Sequence, residues 1–431
     1  LNRNILSIIL LTAIGLGNLA ALSLEDAKKG AVGTDLALHV QQLKLEESQG
    51  NAQVNPLIPD IFLVGSATGT LVPLSDSGSV SGLSVAMGLE VSLSLDSTLG
   101  LQQDIKDLSV VSSALALESQ RIDVETTLLQ DYWTAAGYVF QAPILEQALE
   151  NAKKQYTAAQ ERFTDGKITK LSMKQSQYSV QKAQKAVDDA EMGKQQAFEI
   201  LSQVTGLDVD GSFDVMLEVR SLKSAEELLP YVMKTCGVRT AANAVETAAL
   251  QEELTKASSM APVVSFSFSS GNLGYDGSWS STSGTSSTFF GDTASGTVAV
   301  SIPLGGHVAH STAANSANKA VLDRQIAQTQ LDAAKQSSLS SLRSTLYKIE
   351  SYVRAYALEK DQLDFVTYQR DMVESQYRDG KSTYLDYEDA QMTFEKTQLA
   401  ILQDQLNYTL SVYSLSALLE VTPEKLYMEI N

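Results

Sequence analysis

Basic residues are scarce in this 431-residue chain. Lys and Arg number 32 against 51 Asp and Glu, a formal net charge of −19. A phosphate backbone would be repelled unless the few cations were gathered on one face, and they are not, so no nucleic-acid partner is expected. The single cysteine, Cys236, cannot form an intrachain disulfide and reads as a small buried hydrophobe. Three histidines leave little for a zinc site; His307 and His310 stand three apart with no third ligand in view, so no metal is expected. Gly-x-Ser-x-Gly, phosphate-binding-loop and His-Glu-x-x-His motifs are missing. With them go catalytic residues, cofactors and an enzymatic reading. Past the N-terminus no apolar run approaches the roughly 18 residues that mark a membrane helix. Helix breakers are missing over long stretches too. Neither Pro nor Gly occurs from Ala309 to Asp379, and only Gly137 and Pro143 interrupt Gln102 to Phe163.

At the N-terminus, Arg3 precedes an apolar run from Ile5 to Leu16 and then small residues through Ser23, the three-part layout of a secretory signal. Small side chains at Ala21 and Ser23 place cleavage after Ser23, so residues 1–23 are expected to be a signal peptide. The rest is a duplication. Arg162-Phe163-Thr164-Asp165-Gly166-Lys167 and Leu171 recur as Gln376-Tyr377-Arg378-Asp379-Gly380-Lys381 and Leu385, offset by 380 − 166 = 214. No Lys or Arg lies between Lys44 and Lys106 or between Lys256 and Lys319, and these windows are displaced by 212 and 213. Two structural repeats, 24–215 and 216–431, follow. Each basic-free window alternates apolar and polar residues, as in Leu89, Val91, Leu93 and Leu95 or Val298, Val300, Ile302 and Leu304, the period of a half-buried strand. With a second candidate in each, this gives β-hairpins at about 57–97 and 262–305, joined by turn-rich polar sequence at Ser75 to Ser81 and Gly271 to Ser295. Outside the windows, stripes such as Val180, Ala183, Val187, Ala190, Ala197, Leu201 and Val204 predict long coiled-coil-like helical hairpins. Their turns fall at Gly166 and Gly380, residues that tolerate the left-handed conformation a helix end favours. The fold class is α+β and mostly helical.

Four alternating strands cannot close a barrel in one chain, and an open edge cannot face lipid, whereas three copies give about twelve strands. Missing cations fit a lipid face, where Arg or Lys costs roughly 2 to 4 kcal/mol at the midplane. The order helix, hairpin, long helical hairpin, all repeated, resembles the TolC-like outer-membrane efflux protein family over essentially the whole mature chain. Leu24-Glu25-Asp26-Ala27, the Val300-Ser301-Ile302-Pro303-Leu304-Gly305 strand end and the two turn motifs carry the resemblance. It implies a homotrimer whose twelve-stranded barrel lies in outer-membrane lipid and continues as a periplasmic α-helical barrel. Its partners would be a periplasmic adaptor (membrane fusion) protein and an inner-membrane transporter. Such a channel is a passive duct gated at its periplasmic end.

In that family, acids at the positions of Asp386 and Asp389 ring the entrance. Thr383 with Asp386 also reads as a capping box, a structural use for the first acid. Tyr377 matches the aromatic member of the family's gate, while Ser382 and Ser172 stand where a locking arginine and aspartate are expected, which puts the usual salt-bridge lock in doubt. Adaptor contact is expected at the tips, Asp165-Gly166-Lys167 and Asp379-Gly380-Lys381. Two other readings use the same features: a surface-exposed adhesin presenting the Gly271 to Ser295 tract, and a soluble periplasmic coiled-coil stalk protein.

Overall fold

The computed structural model describes residues 22–55, 57–69, 79–269, 273–280, 284–290, 295–303, 308 and 310–427. The elements run α1 (Leu24–Thr34), α2 (Leu36–Ala52), β1 (Asp60–Gly69), β2 (Ser79–Asp96), α3 (Leu99–Thr164) and α4 (Lys170–Thr205). They continue as α5 (Ala225–Val232), α6 (Cys236–Ser258), β3 (Val263–Ser269), β4 (Leu273–Ser280), β5 (Gly284–Phe290), β6 (Ser295–Ser301), α7 (Thr312–Arg378) and α8 (Tyr384–Leu419). Two helices, strands and two long helices thus occur twice in the same order. Two compact units emerge: Leu1–His39, Ser119–Thr235 and Ser338–Asn431 form one, Val40–Glu118 and Cys236–Ser337 the other.

The helical unit has two cores. One gathers Leu24, Ala27 and Ala31 of α1 with Leu128, Leu129 and Tyr132 of α3 and Leu201 of α4. The other gathers Leu228 and Val232 of α5 with Leu342 and Ile349 of α7 and Val412 and Leu415 of α8. Leu128 and Leu342 differ by 214, as do Leu201 and Leu415, so the periodicity of the turn motifs is also the periodicity of the packing. Each core fixes a buried tyrosine with backbone bonds. The Tyr132 hydroxyl donates to the Leu22 carbonyl and accepts from the Asp214 amide, and the Tyr408 hydroxyl exchanges bonds with both backbone groups of Arg220.

Residues 1–21, most of the stretch expected to be a signal peptide, lie outside the described residues, whereas Leu22 and Ser23 are built into this unit. Leu22 is 6% exposed, and Ser23 is the N-cap of α1, accepting from the Asp26 amide at 3.1 Å. Cleavage after Ser23 would remove this helix cap and this core side chain.

In the second unit, β2 is the spine of an antiparallel sheet. Along one side it pairs with β1; along the other it pairs with β4 through Ser79 to Met87 and with β3 through Glu90 to Asp96. β4 pairs on with β5, and β3 with β6. β3 and β4 therefore succeed one another along one line, β6 and β5 along the next, and the sheet is four lines wide. The tract Gly271 to Ser295, expected to be a connection, instead contains β4, β5 and the first residue of β6. Its Gly, Ser and Thr read as turn formers, but Tyr275, Trp279, Phe289 and Phe290 recur on a paired ladder, and ladder pairing decides strand formation here more than composition does. β2 likewise begins at Ser79, inside the stretch expected to be the first connection.

The register aligns the apolar residues. Leu63 faces Leu89 and Ile61 faces Val91, while Val91, Leu93 and Leu95 face Phe268, Phe266 and Val264. Phe266 and Val264 in turn face Val298 and Val300. Directly opposed residues share a face, so one face is apolar from β1 to β6. The alternate positions carry Ser92, Ser94, Ser265, Ser267, Thr297 and Ala299. That apolar face is open: Leu63 is 70% and Val298 65% exposed. Among the described residues no helix is long and apolar enough to cross a membrane.

Candidate functional site

The two helical turns belong to the helical unit and have the same backbone. At the first, the Lys167 amide donates to the Arg162 carbonyl at 2.8 Å and the Gly166 amide to Phe163 at 2.9 Å. At the second, Lys381 donates to Gln376 at 2.8 Å and Gly380 to Tyr377 at 3.1 Å. This paired closure ends a helix through a left-handed residue, and Gly166 and Gly380 have φ of +69° and +73°. Nothing lies within 4 Å of where a Cβ would sit at either glycine, so conformation rather than space requires glycine. Asp165 pairs with Lys167 at 3.0 Å and Asp379 with Lys381 at 3.1 Å. All six turn residues are exposed.

Past each turn the next helix starts on a threonine. Thr169 caps α4 by accepting from the Ser172 amide, and the Thr169 and Ser172 hydroxyls lie 3.1 Å apart. Thr383 caps α8 by accepting from the Asp386 amide. Ser172 and Asp386 are equivalent by the 214 offset, but only the second repeat carries a charge there. The Asp386 carboxylate accepts from the Thr383 hydroxyl at 2.7 Å, the Thr383 amide at 2.9 Å and the Ser382 hydroxyl at 3.1 Å. The Thr383 hydroxyl, then its amide, then Ser382 hold this carboxyl below the usual carboxylate range. Ser382 thus serves the cap. One turn on, Asp389 is exposed.

Tyr377 is buried, stacked on Tyr387 with centroids 5.6 Å apart and edge-on to Tyr384 at 6.0 Å. The Arg162 guanidinium lies 4.3 Å from the Tyr377 centroid, bringing the end of α3 onto the end of α7. Arg162 opens the first turn motif, but its repeat mate is the neutral Gln376, so the repeat itself carries no signal of a cation over a tyrosine. Tyr377 itself is the mate of Phe163, which is 38% exposed; equivalent positions of the two turns therefore have two fates. The Tyr387 hydroxyl accepts from Gln155 at 3.1 Å, and burial raises its pKa to about 12. Ser179 of α4 donates to Glu388 of α8.

Ser179 and Glu388 differ by 209, not 214, and the contact of Lys182 with Met392 differs by 210. The second hairpin is therefore set back from the first by four to five residues, about 7 Å along the helices. Between α3, α4 and α8 this leaves a cleft of about 220 Å³ walled by Ala148, Ala152 and Ala183, with Glu395 beside it. Burial raises the Glu395 pKa against the opposing hydrogen bond from Gln391.

Cys236, in the other unit, is buried and its thiol donates to the Leu115 carbonyl. His307 lies outside the described residues. Among those described, no group of three or more His, Cys, Asp and Glu could hold a metal.

The sequence profile of outer membrane efflux proteins matches residues 32–207 and 270–420. In structure the chain is similar to CusC, with a TM-score of 0.76 at 14% identity over 95% of this chain and 96% of that one. It is similar to the open state of the Neisseria gonorrhoeae MtrE outer membrane channel, with a TM-score of 0.72 at 16% identity over 94% and 90%. It also resembles the Vibrio cholerae outer membrane protein VceC, with a TM-score of 0.68 at 17% identity over 92% and 95%. No curated protein matches it in sequence.

Proposed function

Because the chain belongs to the outer membrane efflux protein family, we propose that it is the outer-membrane channel of a multicomponent export system, a homotrimeric duct gated at its periplasmic end. The family consists of passive ducts rather than enzymes, and its place is the outer membrane with a helical periplasmic extension. That membership leaves no room for the adhesin or the soluble stalk. The observation that carries the proposal is the sheet: an apolar face aligned in register across all four lines, bounded by the edges of β1 and of β5 and β6. Lipid does not tolerate unpaired edges, so further copies must complete the ladder.

In this reading Asp386 and Asp389 charge the periplasmic entrance, with Tyr377, Ser382 and Ser172 packed behind it. An adaptor docks on the turns Asp165-Gly166-Lys167 and Asp379-Gly380-Lys381 and, with an inner-membrane pump, favours opening. Capping and gating do not compete at Asp386, because the bonds that fix the cap also keep the carboxylate ionised and exposed. Six such carboxylates in a trimer attract cations, and a trivalent ion that bridges several of them blocks. Planar-bilayer recording of the wild type and of Asp386→Asn with Asp389→Asn tests this, since Asn retains a capping oxygen. Weakened cation selectivity and lost trivalent block in an intact trimer support the gate. An unchanged blocking constant overturns it while leaving the channel reading in place.

A further inference from the structure

α3 and α8 of the helical unit enclose a second cleft, which the proposed gate and docking turns do not use. It holds about 310 Å³ and meets the cleft between α3, α4 and α8 at Leu399, which walls both. Gly137 and Leu406 lie side by side in it, and a Cβ on Gly137 would come within 3.1 Å of the Leu406 Cδ1, so the absent side chain gives the cleft its depth. Trp133 and Tyr138 are aromatic walls. Trp133 stacks on Tyr413 with centroids 5.8 Å apart, and the Tyr138 ring lies 2.5 Å from where a Cβ on Gly193 of α4 would sit, so a second glycine seats it. Walls held in this way cost little to order around a ligand.

The polar lining decides the chemistry. Thr134 and Gln141 of α3 with Gln403 and Asn407 of α8 supply a hydroxyl and three carboxamides, groups that both donate and accept. Gln403 donates to Asn407 at 3.1 Å, which leaves the other amide hydrogens and lone pairs for an occupant. Among the described residues no Asp, Glu, Lys, Arg or His lines this cleft, whereas Lys182, Lys396, Glu388 and Glu395 line its neighbour. An ion entering it would lose water and meet no counter-charge. Trp133 adds an unmet donor: it is 2% exposed and its Nε1 has no hydrogen-bond partner, although buried N–H groups are nearly always bonded.

We propose that this cleft binds a neutral saccharide of one or two rings. The C–H faces of the sugar lie against Gly137, Leu406 and the aromatic walls, its hydroxyls exchange bonds with the carboxamides and Thr134, and one of its oxygens supplies the acceptor that Trp133 lacks. Volume sets the size, since about 310 Å³ is at the small end of ligand sites. Polar lining sets the class, because uncharged donors and acceptors match hydroxyls and leave a charge unpaired. Nothing in this depends on the number of copies or on the gate.

Tryptophan emission tests it in the full-length protein carrying Trp279→Phe, which leaves Trp133 as its one tryptophan. The protein is held in an amine-oxide detergent, because a glycoside detergent would itself carry a sugar, and is titrated with glucose, maltose and cellobiose. The expected result is a saturable change in emission with at least one of them, its half-point raised tenfold or more by Gln141→Leu with Gln403→Leu. Glucuronate and glucosamine, the charged counterparts, should give no change. Native-gel mobility and thermal midpoint are read in parallel, and Gln403→Leu alone, at an exposed position, carries the comparison should the double variant lose its fold. No saturable change with any neutral sugar, an equal response to the charged ones, or an undiminished response in the folded variants overturns the site. Conductance, which reads the channel, is untouched by all three outcomes.

Discussion

Gly380 ends α7 and Thr383 starts α8, by different means. Any other residue at Gly380 must hold a φ of +73°, so Gly380→Ala should cost about 1 kcal/mol without a clash, because the space for a Cβ is empty. Thr383→Ala removes the N-cap acceptor, again at about 1 kcal/mol. Chemical denaturation of the purified protein checks both, and the two losses should add only partly because the sites are neighbours. Asp386 adds a pH dependence. Its carboxyl is depressed in the folded chain by Thr383 and Ser382, so its contribution is fully present above the unfolded carboxylate value. That contribution disappears as pH falls through the folded one. Unfolding midpoints from pH 7 down to 3 should fall more steeply for the wild type than for Asp386→Asn. Leu22 supports a further expectation. Since its carbonyl and side chain are both used by the α3 core, the intact mass of the purified protein should show a chain that begins at or before Leu22.

The strands were legible where their alternation was chemical and illegible where it was not. Leu89 to Leu95 and Val298 to Ile302 alternate apolar with small polar side chains, and the ladder follows. β4 sets Tyr275 and Trp279 among Gly, Ser and Asp, and β5 runs through Gly, Thr and Ser before Phe289 and Phe290, compositions that alone favour turns; pairing of β4 with β2, and of β5 with β4, makes them strands. The helical hairpins were legible to within a few residues because the turn motif announces its own geometry. Their 7 Å setback was not, since side-chain contacts between α4 and α8 leave no spacing signal in a single sequence. Faces of the sheet give the element-level prediction. Leu93→Arg puts a cation on the apolar face and should abolish membrane assembly, at a cost of roughly 2 to 4 kcal/mol per copy. Ser94→Arg, one residue on and on the opposite face, should assemble. Detergent-extracted trimer yield separates the two, and equal yields would mean that this face does not meet lipid.

For the molecule as a whole, the length of β2 has a consequence for the bilayer that receives it. Its odd-numbered positions from Leu83 to Leu95 are all apolar, a run of thirteen residues or about 43 Å at strand rise. Tilted by about 45°, that run covers roughly 30 Å of depth, the thickness of an average hydrocarbon layer, whereas bacterial outer membranes are thinner. In the proposed barrel, either the strands lean further or the Leu83 end stands among headgroups, and bilayer thickness thereby becomes a variable to which the slant of its wall answers.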